Sequence, residues 1–219
     1  RGSLEMAVSS HGTMAFFDPR MGIAQGCSLI ESYEEADKYL FDDGELAILI
    51  KEIMAENRVH ALSFLDNEFR YVFNSKRPIK TLDDMKGLKL RVPEVAFAVE
   101  IFKRFGAMPV SIAWPELYTA LQQGTVDGLE AGVILAEASK FQEIQKYASD
   151  TFHLYVTASI VISDSFWRSL SADEQKIFQE TADEVSMWQR KANRDLVEET
   201  IEKMEAAGVQ FTKLSPEVR

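Results

Sequence analysis

Two arginines stand where a charge is costly. Arg91 lies between Leu90 and Val92 with Pro93 next, and Arg70 lies between Phe69 and Tyr71. Both segments read as short apolar strands. A guanidinium in such a strand is costly to desolvate unless it is paired. Two explanations are bland: a solvent-facing strand position, or an internal ion pair. The third is chemical. The planar fork of N–H donors grips a carboxylate with two parallel hydrogen bonds. On residue chemistry alone the bland explanations are the commoner ones.

Other chemistry is hard to find. The three histidines, His11, His60 and His153, are scattered, and none has metal-ligand spacing to another. There is no nucleophile elbow, phosphate loop or dinucleotide fingerprint. The single cysteine, Cys27, sits in Gly26-Cys27-Ser28 and reads as a small hydrophobe rather than a nucleophile. The acidic pairs Asp42-Asp43, Asp83-Asp84 and Glu198-Glu199 fit turns, helix starts and solvated faces. No calcium loop follows Asp42-Asp43-Gly44, since its later ligand positions are apolar. The expectation is a protein without catalysis, cofactor or metal.

The totals narrow the class. The chain has 219 residues, enough for one large domain or two small ones. Its net charge is -11, with 35 acidic against 24 basic residues and no basic cluster. Such a chain is a poor partner for nucleic acid, and an anion site must be built locally from a few chosen arginines. No apolar run approaches the roughly 18 residues of a membrane span. The opening Arg1-Gly2-Ser3-Leu4 carries neither a start methionine nor an apolar signal segment, which points to processing or truncation.

The positioning elements follow from periodicity and punctuation. Ser3 to Ser9 reads as a strand and Ser10-His11-Gly12-Thr13 as a loop. Ser32 with Glu35 reads as a capping box opening a helix through Leu40. Gly44 to Asn57 is an amphipathic helix. Val59–Leu65 and Phe69–Asn74 are strand candidates, with turn formers Asp66, Asn67 and Glu68 between them. Thr81 caps one helical turn that ends at Gly87. The strand Leu88–Val92 and a helix over Val95–Phe105 come next. Then come the strand Ala107–Ile112, the helix Glu116–Gln123 begun by Pro115, and the strand Val126–Glu130. That alternation argues for parallel sheet units. Phe152–Ser163 reads as a long strand. Ser171 with Glu174 opens a helix that nothing interrupts before Gly208, along a stripe of Phe178, Ala182, Val185, Trp188, Ala192, Leu196, Ile201 and Met204. At 1.5 Å per residue it would run about 54 Å, so it should bend or span two lobes. Val209–Leu214 begins a last strand. Trp167 and Trp188 read as packing residues.

In order and at matching spacing, several segments resemble one family. They are Phe69-Arg70, Ser75-Lys76-Arg77-Pro78-Ile79, Met85-Lys86-Gly87-Leu88-Lys89-Leu90-Arg91-Val92-Pro93, Pro115-Glu116-Leu117-Tyr118-Thr119-Ala120-Leu121-Gln122-Gln123-Gly124, Val126-Asp127-Gly128 with Glu130, Lys140-Phe141, and Phe166-Trp167. Together they cover nearly the whole chain. They resemble the solute receptors of tripartite ATP-independent periplasmic (TRAP) transporters, of the dicarboxylate-receptor type.

The resemblance implies an α/β fold, a two-lobed periplasmic binding protein (class II-like) that closes by a hinge. Its lobes exchange strands and a long helix spans both. Residues 1–67 and 157–197 would form lobe I, its N-terminal part outside this chain. Residues 68–156 and 198–219 would form lobe II, with a further C-terminal stretch outside it. By the same resemblance Arg91 is the ligand's carboxylate anchor, Arg70 a second arginine, Trp114 a bulky aromatic against the ligand, and Glu130 a polar site position. Ala131 stands where many members carry an asparagine that contacts the ligand, so the usual pose is altered there. Ser10 and His11, after a strand of lobe I, should line the cleft. The implied function is an extracytoplasmic, periplasmic receptor that delivers a small organic acid to TRAP membrane subunits. Its partners would be that ligand and those subunits, touched peripherally, and no nucleic acid. Two alternatives stay open: an ABC-type periplasmic binding protein, or a ligand-sensing receptor subunit for an organic acid.

Overall fold

A computed structural model describes residues 4–41 and 43–219. Ser3, expected to start the first strand, and Asp42, of the first acidic pair, lie outside the described residues. In chain order the elements are β1 (Met6–Ser10), α1 (His11–Met14), a 3-10 segment (Pro19–Gln25), α2 (Tyr33–Tyr39), α3 (Glu45–Glu56), β2 (Val59–Phe69) and β3 (Tyr71–Asn74). A 3-10 turn (Leu82–Met85) leads to β4 (Lys89–Val92), α4 (Ala96–Arg104), β5 (Met108–Ser111), α5 (Trp114–Gln122), β6 (Gly128–Ala131) and α6 (Val133–Ala138). After a 3-10 turn (Phe141–Glu143) come β7 (Tyr147–Ser149), β8 (Tyr155–Ser163), α7 (Asp164–Ser169), α8 (Ala172–Ala206) and β9 (Gln210–Thr212). No helix of the described residues is long and apolar enough to cross a membrane.

The chain divides into two compact units. One runs to Glu68 and resumes over Leu154–Arg194; the other is Phe69–His153 with Asp195–Arg219. The first holds a three-stranded sheet in the order β1-β8-β2, with β1 antiparallel to β8 and Ser9 opposite Ser159. Leu62, Ile162 and Ala182 form a core cluster there, joined by Phe166 and Trp167. Trp167 stacks on His60, ring centroids 4.4 Å apart.

Two local expectations fail in this unit, each for a side-chain reason. Residues 10–13 do not form a loop. Ser10 caps α1 by accepting the Thr13 N–H at 3.3 Å, and His11 is pinned against β8. Nor do Asp66, Asn67 and Glu68 make a turn, because β2 runs on to Phe69. The Gln189 side chain of α8 accepts the Asp66 N–H at 3.0 Å and donates to its carbonyl at 2.8 Å. Arg194 donates to the Asp66 carboxylate at 2.9 Å. Asp66 Oδ1 still accepts the Glu68 N–H at 2.9 Å, the local bond its turn propensity favours, while Gln189 and Arg194 hold the rest of the residue within the strand.

The second unit is built on a six-stranded sheet, β5-β4-β6-β3-β7-β9. It is mixed, not parallel throughout. β4 pairs parallel with β5 and β6, whereas β3 is antiparallel to both β6 and β7. Side chains alternate across a strand, so the sheet separates two cores. One gathers Val72, Leu90 and Val92 with Met85 and Phe102. The other gathers Tyr71, Phe73, Leu129 and Ala131 with Leu117, Phe141 and Met204. Gly128 is required where β6 meets β3, since a Cβ there would run into the Phe73 carbonyl oxygen.

Helix α8 forms as its capping box dictates. Glu174 accepts the Ser171 N–H at 2.8 Å, and Ser171 Oγ accepts the Glu174 N–H at 3.3 Å. Its stripe is only partly core. Ala182 and Met204 are buried, but Val185, Leu196 and Trp188 are exposed, Trp188 by 69%. The expected packing role of Trp188 is therefore not met in this structure.

Candidate functional site

Strand β4 puts Arg91 on one side of the sheet and its neighbours on the other. Leu90 and Val92 enter the core with Val72, so Arg91 faces the side of its register partners, Val110 and Leu129. The residue is only 5% exposed. Its Nε donates to the Ile112 carbonyl at 2.8 Å, and its guanidinium carbon lies 5.3 Å from the centre of the Trp114 ring. That distance suits a cation–π contact. Trp114 is set by Pro115 behind it in the first turn of α5 and rests edge-on against Phe141 at 5.6 Å.

These contacts use one nitrogen of three. Among the described residues no carboxylate pairs with Arg91, and its Nη1 and Nη2 have no hydrogen-bond partner. Burial pushes its affinity for a proton down, Glu130 and Glu94 push it up, and Arg70 pushes it down. The guanidinium stays charged regardless. The result is a half-desolvated cation whose two parallel donors are unspent, the geometry that accepts a carboxylate in bidentate fashion.

Arg70 has a different fate. Its Nε donates to Glu130 Oε2 at 2.6 Å, and its Nη2 donates to Glu130 Oε1 at 3.0 Å and to the Glu130 carbonyl at 3.1 Å. Both residues are buried. Glu130 lies opposite Val72, so the pair belongs to the other side of the sheet from Arg91. The Arg70 carbonyl accepts the Phe152 N–H at 3.0 Å, which ties the break between β2 and β3 to the segment before β8.

His153 completes that cluster, and sequence reasoning missed it. Its Nδ1 shares a hydrogen bond with Thr151 Oγ1 at 2.8 Å, and Phe102 and Phe105 pack edge-on against the ring. Its Nε2 is buried without a hydrogen bond, 3.8 Å from Glu130 Oε2. Burial lowers its pKa to about 4, Glu130 opposing and Arg70 adding to the shift. The ring is neutral at pH 7. Thr151 is a near neighbour in sequence, but Glu130, Phe102 and Phe105 are not, so no local signal marks its place in the cluster.

The remaining candidates divide. Ala131 is fully buried in the core opposite Tyr71 and offers no polar group. Ser10 and His11 lie in the other unit. Ser10 Oγ is 2.9 Å from Thr13 Oγ1 as well as capping α1. His11 is fully buried. Its Nε2 meets Ser159 Oγ at 2.6 Å, its Nδ1 meets Thr157 Oγ1 at 2.8 Å, and burial lowers its pKa to about 3. Neither ring nitrogen is left for a ligand, so the expected cleft-lining role does not extend to hydrogen bonding by His11. No group of histidine, cysteine, aspartate and glutamate side chains that could hold a metal occurs among the described residues.

The chain is similar to several known proteins. The chain is 31% identical over 209 residues to the 2,3-diketo-L-gulonate-binding periplasmic protein YiaO of Escherichia coli K12, covering 95% of this chain. It spans only 63% of that relative's own length. A solute-binding protein structure from Polaromonas sp. JS666, bound to D-erythronate, matches with a TM-score of 0.92 and 34% identity, over 99% of this chain and 71% of that one. The sugar acid binding protein DctPAm of Advenella mimigardefordensis, in complex with galactonate, matches with a TM-score of 0.92 and 31% identity, over 100% of this chain and 70% of that one. The sequence model of the DctP family, described as bacterial extracellular solute-binding protein, family 7, matches residues 1–219. The chain that presents Arg91 on β4 belongs to that family of extracellular solute-binding proteins.

Proposed function

We propose that this chain binds a small organic acid through Arg91 and serves as a periplasmic receptor that hands the acid to TRAP membrane subunits. One observation carries the reading: a buried guanidinium with two parallel donors unspent and no carboxylate among the described residues to meet them. A ligand carboxylate supplies the missing partner, and Trp114 supplies an aromatic wall beside it. The Arg70–Glu130 pair takes a supporting role, holding β3 and β6 together behind the anchor. The ligands named for similar proteins, D-erythronate and galactonate, are hydroxylated monocarboxylic acids, which is the class proposed here. No step of the reading requires catalysis or a cofactor.

A thermal-shift screen of sugar acids, keto acids and dicarboxylates, followed by titration calorimetry of the hits, tests the reading. At least one acid should raise Tm, and Arg91→Ala should abolish its binding while the variant stays folded. Wild-type affinity in Arg91→Ala would sink the assignment.

A further inference from the structure

Strand β4 is where the order of the parallel strands reverses. The chain leaves β4 through α4 to reach β5 on one side, then returns through α5 to reach β6 on the other. The two helices cover opposite faces. Ala98 and Phe102 of α4 pack with Leu90, and Leu117 and Leu121 of α5 pack with Leu129. In open α/β sheets, the crevice beyond the carboxyl ends of the strands at such a reversal is where ligands bind. Arg91, near the end of β4, and Trp114, the first residue of α5, meet there.

Helix α5 opens without a side-chain cap. Its N-cap is Ala113, and the acidic residue of its first turn, Glu116, is exposed. Pro115 has no N–H to offer. The Glu116 N–H is spent on the Ala113 carbonyl at 3.1 Å, while the N–H groups of Ala113 and Trp114 have no hydrogen-bond partner among the described residues. These two point differently. Arg91 Nε donates to the Ile112 carbonyl at 2.8 Å. The Ala113 N–H shares that peptide unit, and across a trans peptide it is directed the opposite way. The Trp114 N–H belongs to the next unit, at the open end of the helix, and the Trp114 ring lies 5.3 Å from the guanidinium. Arg91, only 5% exposed, thus brings its two unspent donors to the positive end of a helix. A cation and a helix N-terminus repel each other, and an oxygen-rich anion between them satisfies both.

We infer that the Trp114 main-chain N–H is a specificity-determining donor: while the Arg91 fork holds the carboxylate, this N–H donates to an oxygen on the adjoining carbon, C2, of the same acid. The inference rests on the organic-acid reading and deepens it, because it narrows the class to 2-hydroxy and 2-oxo acids. The fork occupies both carboxylate oxygens in one plane. The oxygen on C2 is the next acceptor along the ligand, as the Trp114 N–H is the next donor along the protein. A neutral N–H asks for a lone pair and not for a second charge, so a hydroxyl or oxo oxygen suffices. An acid without that oxygen leaves the donor unpaired, and a site built to hydrogen-bond a hydroxyl rejects the analogue that lacks it.

Titration calorimetry with two pairs of acids tests this: galactonate with 2-deoxygalactonate, and D-erythronate with 3,4-dihydroxybutanoate. The members of each pair differ by the C2 hydroxyl alone. Wild type should bind the 2-hydroxy member about tenfold more tightly, the effect of one hydrogen bond. Trp114→Ala removes the ring and keeps the N–H, so it should weaken both members of a pair and preserve the preference. Trp114→Pro removes the ring and the N–H together, at a first helical position that suits proline, and the preference should disappear. Should Trp114→Pro fail to fold, amide hydrogen exchange in wild type decides. The Trp114 N–H should exchange more slowly with galactonate bound than with 2-deoxygalactonate bound. Equal affinities within each pair in wild type, an equal preference in Trp114→Pro and Trp114→Ala, or equal Trp114 exchange with the two ligands overturns the role of this N–H. The acid receptor then still stands, provided Arg91→Ala abolishes binding. Failure of the wild-type chain to bind any of these acids overturns both readings.

Discussion

Replacing Glu130 by leucine should be among the most damaging single changes in the Arg91-bearing unit. The carboxylate accepts two hydrogen bonds from Arg70, at 2.6 and 3.0 Å, and both side chains are shielded, 11% and 4% exposed. In Glu130→Leu the guanidinium keeps only the residue 130 carbonyl, at 3.1 Å. An arginine stripped of its buried counter-ion costs about 3–5 kcal/mol. For a chain of this size 1 kcal/mol moves Tm by about 2–4 °C, so the loss should be about 6–20 °C. The double variant Arg70→Met with Glu130→Leu removes both charges together, and an apolar replacement of a buried pair is commonly neutral or stabilising. Urea denaturation of wild type, both single variants and the double variant closes the cycle. A cost below about 1 kcal/mol for Glu130→Leu, or a double variant as unstable as the worse single one, would refute a buried, mutually dependent Arg70–Glu130 pair.

Other outcomes follow from the same geometry. Arg91→Met should abolish acid binding yet raise ligand-free Tm, because it removes a buried, half-satisfied cation; Arg91→Lys should keep the charge but lose the fork, weakening binding by roughly two orders of magnitude in calorimetry. Both buried histidines titrate lower in the folded chain than in the unfolded one, where the value is near 6.5. The unfolded chain therefore binds the extra protons first, and stability is full above about pH 6.5. It should fall by up to about 1.4 kcal/mol per pH unit for each histidine as pH drops. The decline ends near pH 4 for His153 and near pH 3 for His11. His153→Gln should flatten the slope between pH 6.5 and 4 in denaturant titrations, provided it folds. Gly128→Ala should prevent β6 from pairing with β3, and loss of near-ultraviolet circular dichroism would report it.

What was legible in the sequence was local. Thr81 and Asp84 announce their turn, and Asp84 does accept the Thr81 N–H at 2.9 Å. Ser171 and Glu174 announce α8, and Pro93 marks the end of β4. Arg91 was visible as a charge in an apolar strand. What the strand could not reveal is which side of the sheet it faces, since that depends on pairing with β5 and β6. The Arg70–Glu130 pair spans sixty positions of sequence, and His153 reaches the same cluster from further on. Their partnership is tertiary, so no spacing rule could find it. Asp66 keeps its local bond to the Glu68 N–H, but β2 runs past it because Gln189 and Arg194 arrive from α8, and that tertiary support has no sequence signal.

Neither compact unit is an unbroken length of polypeptide. The chain crosses from one to the other after Glu68, after His153, and inside α8 after Arg194. Protease nicking at any one crossing therefore leaves the units tethered by the other two. Gene dissection meets the same obstacle. A fragment of residues 69–153 would carry Arg91, Trp114 and Glu130 but would lack Met204 and Val209, which fill the core around Phe73 and Leu117. The proposed anchor Arg91 is thus encoded in one stretch, and the core of its unit is completed by another.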